Sequence, residues 1–179
     1  MKDHRSYFEK ANFQSELPNR LLVGVIGLFL VFLELGLANV PVFYAASPML
    51  SLIFIYYMLI FHDNLLPVVS IFLVGIVADL LFSDVIGGRA TIFMLLSYFV
   101  RARLIRLQQY EFGQLWIDFA FICFSVVLFQ FVFFSIINLA IPSLNLIFFQ
   151  VGLTLILFPI GFVMIYSIHR LLQKLKLVA

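Results

Sequence analysis

The sequence predicts an all-α integral membrane protein, folded as a compact bundle of six transmembrane helices. Hydrophobic residues make up 64% of the 179-residue chain and charged residues only 11%, whereas a soluble domain carries about 25% charged residues. This composition leaves too little polar surface to face water, and no room for a sizeable soluble domain. The basic residues lie in three clusters, and the sequence between the clusters is almost continuously apolar.

Six apolar runs are candidates for membrane spans. A span needs about 20 residues, with a range of about 17–25. The first, third, fifth and sixth runs meet or nearly meet this length, whereas the second and fourth are short. Tight turns, local thinning of the bilayer or protein cover at the ends can accommodate short spans, and re-entrant structure is the alternative. The runs are Leu21–Ala38, Ser47–Phe61, Leu65–Phe82, Val85–Val100, Leu115–Leu139 and Leu144–Ile168.

The first run follows a basic segment and could pass for a secretory signal. Its apolar length exceeds the 7–15 residues of a signal peptide's hydrophobic region, so we expect an uncleaved first span. The domain organisation that follows is a basic N-terminal segment (1–20), a six-span membrane domain (21–168) and a basic C-terminal tail (169–179).

The basic clusters decide the number and orientation of the spans. With six spans, ten of the eleven basic residues fall on one side of the membrane, Arg89 being the exception, whereas five spans would move one cluster across. Basic residues in short loops are retained in the cytoplasm, so we expect both termini to be cytoplasmic. The clusters are Lys2, Arg5, Lys10 and Arg20; Arg101, Arg103 and Arg106; and Arg170, Lys174 and Lys176.

The fifth and sixth runs contain the polar residues that we expect to join them to other helices. Gln130 and Gln150 are suited to interhelical hydrogen bonds. Pro159 should kink the sixth span and free a backbone carbonyl for a neighbouring group. Asp118, near the start of the fifth run, should form a salt bridge with the cluster that follows the fourth run. Phenylalanines surround the fifth span, so some of them must face lipid or another protein's helix.

Three ionisable residues lie inside the apolar runs. Glu34, Asp79 and Arg89 each sit roughly 5–8 Å inside a predicted helix end, so they share one depth. A charge inside a span usually faces protein or water and is paired. Asp79 and Arg89 lie on consecutive spans joined by a short turn, so we expect them to pair, and Glu34 could join them or hold a proton. The pair could be an internal staple, a binding feature for a partner or ligand, or both.

No pattern in the chain indicates enzymatic chemistry. The single Cys123 and the three separated histidines, His4, His62 and His169, give no metal-ligand spacing. Phosphate-binding loops, zinc-protease motifs and nucleophile elbows are also absent from the sequence. We therefore expect no catalytic residues, no cofactor and no metal, and we expect the lipid bilayer, not nucleic acid, as the surrounding partner.

One segment resembles a known family. From Gly75 to Arg89 the sequence reads GIVADLLFSDVIGGR, and together with three positions elsewhere it resembles the bacterial rod-shape-determining protein MreD family from the second span onward. Family members often have a glycine-containing turn after the Asp-Leu pair, where this chain has Phe82-Ser83-Asp84. The distinctive positions are Pro48, Tyr57, Gly75, Asp79, Leu80, Gly87, Arg89 and Pro159.

The resemblance implies a non-enzymatic scaffold or regulatory subunit of the cell-elongation (rod) complex, which couples cell shape to peptidoglycan synthesis. The implied location is the bacterial inner membrane. The implied partners are the bitopic protein MreC, the actin-like MreB system and the membrane glycosyltransferase and transpeptidase that build peptidoglycan. The implied fold is similar to that of the substrate-binding subunits of energy-coupling-factor transporters.

Those transporter subunits supply the alternative function, which is binding a vitamin in an outward-facing pocket. They resemble one another in an Ala-xxx-Ala pattern on the first span, whereas the first span of this chain carries Gly24, Gly27 and Gly36 instead. A third class, a proton-coupled carrier that uses Glu34 and Asp79, would need more polar lining than these spans offer.

Overall fold

The computed structural model describes residues 3–40, 47–82, 86–138 and 144–174, and their regular secondary structure is entirely helical. The all-α prediction is therefore confirmed for these residues. The α-helices are α1 (Asp3–Ala38), α2 (Leu50–Phe61), α3 (Val68–Leu81), α4 (Gly88–Ala102), α5 (Leu104–Leu107), α6 (Phe112–Asn138) and α7 (Leu144–Lys174), and a short 3-10 turn covers Asp63–Leu65.

Three of these helices contain segments long and apolar enough to cross a membrane: Leu17–Ala38 in α1, Phe112–Ile137 in α6 and Asn145–Ser167 in α7. The helices α2 and α3 are apolar but have only 12 and 14 residues, and α4 has 15. The membrane-embedded helical class is thus supported by length and composition, and six complete crossings stay a prediction.

The predicted boundaries need correction at two places. We expected the third span to cover Leu65–Phe82, but Leu65 belongs to the 3-10 turn and α3 begins only after Pro67, whose backbone is extended. Proline has no N–H to donate and disfavours a helical conformation in the residue before it, so the helix starts late. In contrast, α1 extends far beyond the first predicted span and continues through Pro18. The predicted boundaries Val85 and Leu139 lie outside the described residues, as do Ser83, Asp84 and Lys176.

The helix α2 forms the centre of the bundle. Ten consecutive residues, 51–60, are buried, although a helix on the surface of a bundle buries only one face. The helices α1, α4 and α7 pack directly on α2, while α3 packs on α1 and α4, and α6 packs on α7 and α4. The core of the protein therefore lies around α2, which is covered by the neighbouring helices.

Both ends of α2 are closed by polar groups from distant parts of the chain. At its start, the Met49 N–H donates to Thr154 Oγ1 at 3.1 Å and the Ser51 N–H donates to Glu34 Oε1 at 2.5 Å. At its end, Gln108 Nε2 donates to the Ile60 carbonyl at 2.9 Å. Backbone groups inside a bilayer must be satisfied by protein, and these contacts meet that requirement for both ends of α2.

The opposite end of the bundle from Glu34 carries the Arg101–Arg106 cluster. Arg101 Nε lies 2.6 Å from Asp63 Oδ1, and its Nη2 donates to the Leu66 carbonyl at 2.9 Å. Asp118, expected to pair with this cluster, instead accepts a hydrogen bond from the Tyr56 hydroxyl at 3.0 Å. Within the described part of the chain no arginine lies within 4 Å of the Asp118 carboxylate.

A buried charge cluster as the candidate functional site

Asp79 lies on the last turns of α3, is fully buried and caps the start of α4. Its Oδ2 accepts the Gly87 N–H at 2.8 Å, and its Oδ1 accepts the Arg89 N–H at 2.9 Å. The first N–H groups of a helix have no partner within the helix, and its N-terminus carries a partial positive charge. A buried carboxylate at this point therefore satisfies the backbone of α4 as well as its dipole.

Two glycines make this cap possible. A Cβ on Gly75, one turn before Asp79 on the same face of α3, would lie 2.4 Å from the Ala90 Cα. Only a residue without a side chain lets the backbone of α4 approach so closely. Gly87 has a φ of +93° and forms the N-cap of α4, a conformation that favours glycine. The Gly75-x3-Asp79 pattern is thus one packing unit: the glycine admits α4 and the aspartate caps it.

Glu34 plays the same part for α2. Its side chain is 1% exposed, and it accepts the backbone N–H of Ser51 in the first turn of α2. The Thr154 hydroxyl supplies the neighbouring acceptor for Met49 and donates in turn to the Gln150 carbonyl at 2.7 Å. Carboxylates from α1 and α3 therefore cap the helices that follow each of them in the chain.

Arg89 links the two caps. Its Nη1 lies 3.8 Å from Glu34 Oε2, and its guanidinium carbon lies 4.1 Å from the centre of the Phe82 ring, within reach of a cation–π interaction. The predicted ion pair between the Asp79 and Arg89 side chains is not found among the described residues, because Asp79 accepts the Arg89 backbone N–H instead. The Arg89 side chain pairs with Glu34, the residue that we expected either to join the pair or to hold a proton. We call Glu34, Asp79 and Arg89 the buried charge cluster.

The buried charge cluster is close to electrically neutral. With both carboxylates ionised it holds two negative charges, and the Arg89 guanidinium supplies one positive charge. The N-termini of α2 and α4 each contribute about half a positive charge. Such balance lowers the cost of burying three ionisable side chains together, and the six-span prediction requires it, because an isolated charge at the centre of a membrane helix costs about 2.5–3.5 kcal/mol.

A cavity of about 190 Å³ adjoins the buried charge cluster between α4, α6 and α7. Asp79 and Arg89 line it together with Gln130 and Gln150 and with several phenylalanines of α6. The two glutamines were predicted to hydrogen-bond between helices. Among the described residues neither side-chain amide has a hydrogen-bond partner, so both remain available to an occupant of this cavity.

The other positions that carry the family resemblance separate into two groups. Pro48 is buried just before α2, on the same end of the bundle as the buried charge cluster. Tyr57 lies further along α2, in an aromatic group with Phe61 and Phe162 at ring distances of 5.0 and 5.1 Å. Tyr57 thus packs beside the part of α7 that contains Pro159, away from Asp79.

Pro159 frees a carbonyl, as predicted. Because proline lacks an N–H, the Leu155 carbonyl four residues earlier loses its partner in the helix. The indole Nε1 of Trp116 donates to this carbonyl at 3.2 Å. The helix α7 continues through Pro159. Trp116 therefore connects α6 to α7 through this hydrogen bond.

Sequence reasoning missed two side chains that satisfy the ends of α2. Thr154 accepts the Met49 N–H at its start, and Gln108 donates to the Ile60 carbonyl at its end, whereas Ser51 contributes its backbone N–H to Glu34. Their only signal in the sequence is that each is a polar residue in or beside an apolar run, which does not identify its partner. No group of three or more His, Cys, Asp or Glu residues in the described ranges could hold a metal ion.

No protein-family model, no curated protein and no solved structure matches this chain. The resemblance to the MreD family therefore rests on the residues quoted above.

Proposed function

We propose that this chain is a non-enzymatic scaffold or regulatory subunit of the bacterial cell-elongation complex, located in the inner membrane with both termini cytoplasmic. One observation carries the proposal. The α3–α4 contact brings together four of the residues that carry the resemblance to the MreD family: Gly75, Asp79, Gly87 and Arg89. The motif thus specifies a closely packed, capped helix pair, and such packing supports a scaffold, which has to present fixed surfaces to its partners.

The surface of α6 is suited to such partners. Phe121 and Phe124 are 70% and 56% exposed, whereas Phe119 on the same helix is buried. Helices in membranes associate through close packing without a hydrophobic driving force, so these rings can face lipid or the transmembrane helix of another protein. We propose MreC, the MreB system and the peptidoglycan glycosyltransferase and transpeptidase as the partners.

The alternative function, binding a vitamin as the substrate-binding subunit of a transporter, is favoured by the polar cavity at the buried charge cluster. Its lining combines aromatic rings with two side-chain amides that have no partner in the described ranges, and many ligand sites combine aromatic and polar groups in this way. Its volume of about 190 Å³ is below the roughly 300–1,000 Å³ of pockets that hold drug-sized ligands. The small volume of the cavity therefore favours the scaffold function over vitamin binding. Both proposed functions include the six-span fold that is similar to those transporter subunits.

Depletion of the protein in its rod-shaped host tests the proposal. Loss of a scaffold for elongation should round the cells, and the wild-type chain should restore rods and capture MreC after mild solubilisation. Asp79→Ala should restore neither, because the start of α4 loses its cap. Ser167→Ala is the matched control, since Ser167 lies on α7, is exposed and, among the described residues, bonds only the Val163 carbonyl of its own helix.

Two results would contradict the scaffold proposal and support the transporter subunit instead. One is a depleted strain that keeps its normal shape but requires a vitamin, and the other is a purified protein that retains a vitamin in stoichiometric amount.

A further inference from the structure

A second, larger space lies on the lateral surface of the bundle, away from the buried charge cluster. It is an apolar groove of about 370 Å³ between α4 and α6, which we call the α4–α6 groove. It runs from Ile92 to Arg103 along α4 and from Phe129 to Asp118 along α6. Exposed rings, among them Phe99 and Phe121, form its rim, so the groove opens sideways toward the bilayer.

The length of the α4–α6 groove matches one leaflet of a membrane. Arg103 follows Ile92 by eleven positions, which corresponds to roughly 16 Å along a helix, and it directly follows the last residue of α4. The hydrocarbon core of a bilayer is about 30 Å thick, so each leaflet contributes about 15 Å. A lipid whose head group lies at Arg103 would therefore extend its acyl chain to the other end of the groove.

Opposite charges lie at one end of this groove without pairing to each other. The Arg103 side chain has no hydrogen bond or ion pair with any residue that the structure describes. Asp118 accepts one hydrogen bond, from the Tyr56 hydroxyl, and keeps further acceptor capacity. Arg101, two residues before Arg103, is by contrast already bonded to Asp63 and to the Leu66 carbonyl.

We propose that the α4–α6 groove binds a phospholipid with a primary ammonium in its head group, a phosphatidylethanolamine, from the leaflet on the Arg101 side. The Arg103 guanidinium donates to the phosphate, a charge-assisted contact, and Asp118 accepts from the ammonium. The acyl chain fills the apolar part of the groove. A purely anionic head group would leave Asp118 unmatched, and a choline head group has no N–H to donate.

A transmembrane helix from another protein fits this groove less well. A helix about 10 Å across and 16 Å long occupies roughly 1,200 Å³, more than three times the volume of the groove. Such a helix would rest on the rim and would leave both the groove and the charges at its end unfilled. A single acyl chain is much narrower than a helix and can enter the groove while the rest of the lipid stays in the bilayer. The width of the groove and the charges at its end therefore both favour a lipid.

The test uses the full chain, purified and exchanged into mixtures of phosphatidylethanolamine, phosphatidylglycerol and phosphatidylcholine with identical acyl chains. Retained lipid is counted by native mass spectrometry. We expect one phosphatidylethanolamine to be retained in preference to the other two lipids. Arg103→Gln should weaken retention about tenfold or more, the scale of a lost hydrogen bond to a charged group. Asp118→Asn should abolish the preference over phosphatidylglycerol while keeping an oxygen for Tyr56.

Two further variants separate the site from general effects. Arg106→Gln removes a charge from the same cluster but from outside the groove lining, and it should leave retention unchanged. Ser125→Trp places a bulky ring in the groove and should displace the lipid with both charges intact, which also covers the case that Arg103→Gln fails to fold. Equal retention of the three lipids, equal effects of Arg103→Gln and Arg106→Gln, or displacement of the lipid by a copurified partner helix would each overturn the proposal.

Discussion

Asp79 and Glu34 show how single acidic residues are used inside this bundle. Each lies near the end of one helix and satisfies the first backbone N–H groups of the next. Hydrogen bonds that involve an ionised group contribute about 1.5–3 kcal/mol each, and the dipole of a capped helix adds about 0.3–1 kcal/mol or more. These terms together offset the penalty of burying a carboxylate. The main role of the acidic residues in the buried charge cluster is therefore to accept hydrogen bonds from the backbone of the following helix.

Glu34 pairs with the Arg89 side chain, whereas Asp79 accepts only backbone N–H groups among the described residues. This difference between the two carboxylates predicts different outcomes for two double variants. Arg89→Gln alone should destabilise the protein strongly, because breaking a buried ion pair costs about 3–5 kcal/mol. Adding Glu34→Gln should restore part of the loss, since glutamine is uncharged and still accepts the Ser51 N–H. Adding Arg89→Gln to Asp79→Ala should restore nothing, because the Gly87 and Arg89 N–H groups remain unsatisfied, at about 1–3 kcal/mol for each.

Thermal unfolding of the purified variants in detergent measures both cycles. Equal recovery in the two double variants would show that Asp79 acts as a plain counter-charge to Arg89, and the capping interpretation would then be wrong.

At the scale of helices, the approach of α3 to α4 depends on one position. A Cβ on Gly75 would lie 2.4, 2.8 and 2.9 Å from the Cα, N and Cβ of Ala90, and backbone atoms cannot move aside as a flexible side chain can. Gly75→Ala should therefore push α4 away and weaken the Asp79 cap, with a loss of about 1–3 kcal/mol from overpacking alone.

Gly152→Ala is the matched control for that substitution, because a Cβ there meets nothing within 4 Å. Alanine is the better helix former by about 1 kcal/mol, so the control should be neutral or stabilising. Thermal unfolding and the yield of folded protein compare the two variants. A Gly75→Ala protein as stable as Gly152→Ala would contradict the close approach of α3 and α4.

The sequence indicated where the long helices lie, since apolar length and turn residues are local properties. It did not indicate that α2 is central, because lipid and protein core are equally apolar and hydrophobicity cannot separate the two environments. The partners of Thr154, Gln108 and Asp118 were also beyond prediction, since they lie 105, 48 and 62 residues away in the chain. The carbonyl freed by Pro159 was predictable, because it follows from proline's own chemistry, but its donor Trp116 was not.

At the scale of the whole molecule, a buried core helix is surrounded by helices of unequal length. The long helices α1, α6 and α7 contain the segments able to cross a bilayer unaided, whereas α2, α3 and α4 are short, and α2 and α4 are capped by their neighbours. This division leaves two topologies to distinguish. Either all six predicted spans cross, with the bilayer thinned or the helix ends covered by protein, or only the three long helices cross.

The two topologies give opposite signals at three positions, which makes reporter fusions a direct test. With six spans and a cytoplasmic N-terminus, fusions after Asn39, Ser83 and Pro142 should read outside, and fusions after Gln109 and Ala179 should read inside. With three spans the readings at Gln109, Pro142 and Ala179 all invert, and the cluster at Arg101, Arg103 and Arg106 would lie outside. That arrangement opposes the retention of basic loops in the cytoplasm, so we expect the six-span pattern. An inside signal at Pro142 together with an outside signal at Gln109 would overturn it, and would make α2, α3 and α4 a re-entrant unit held between three spanning helices.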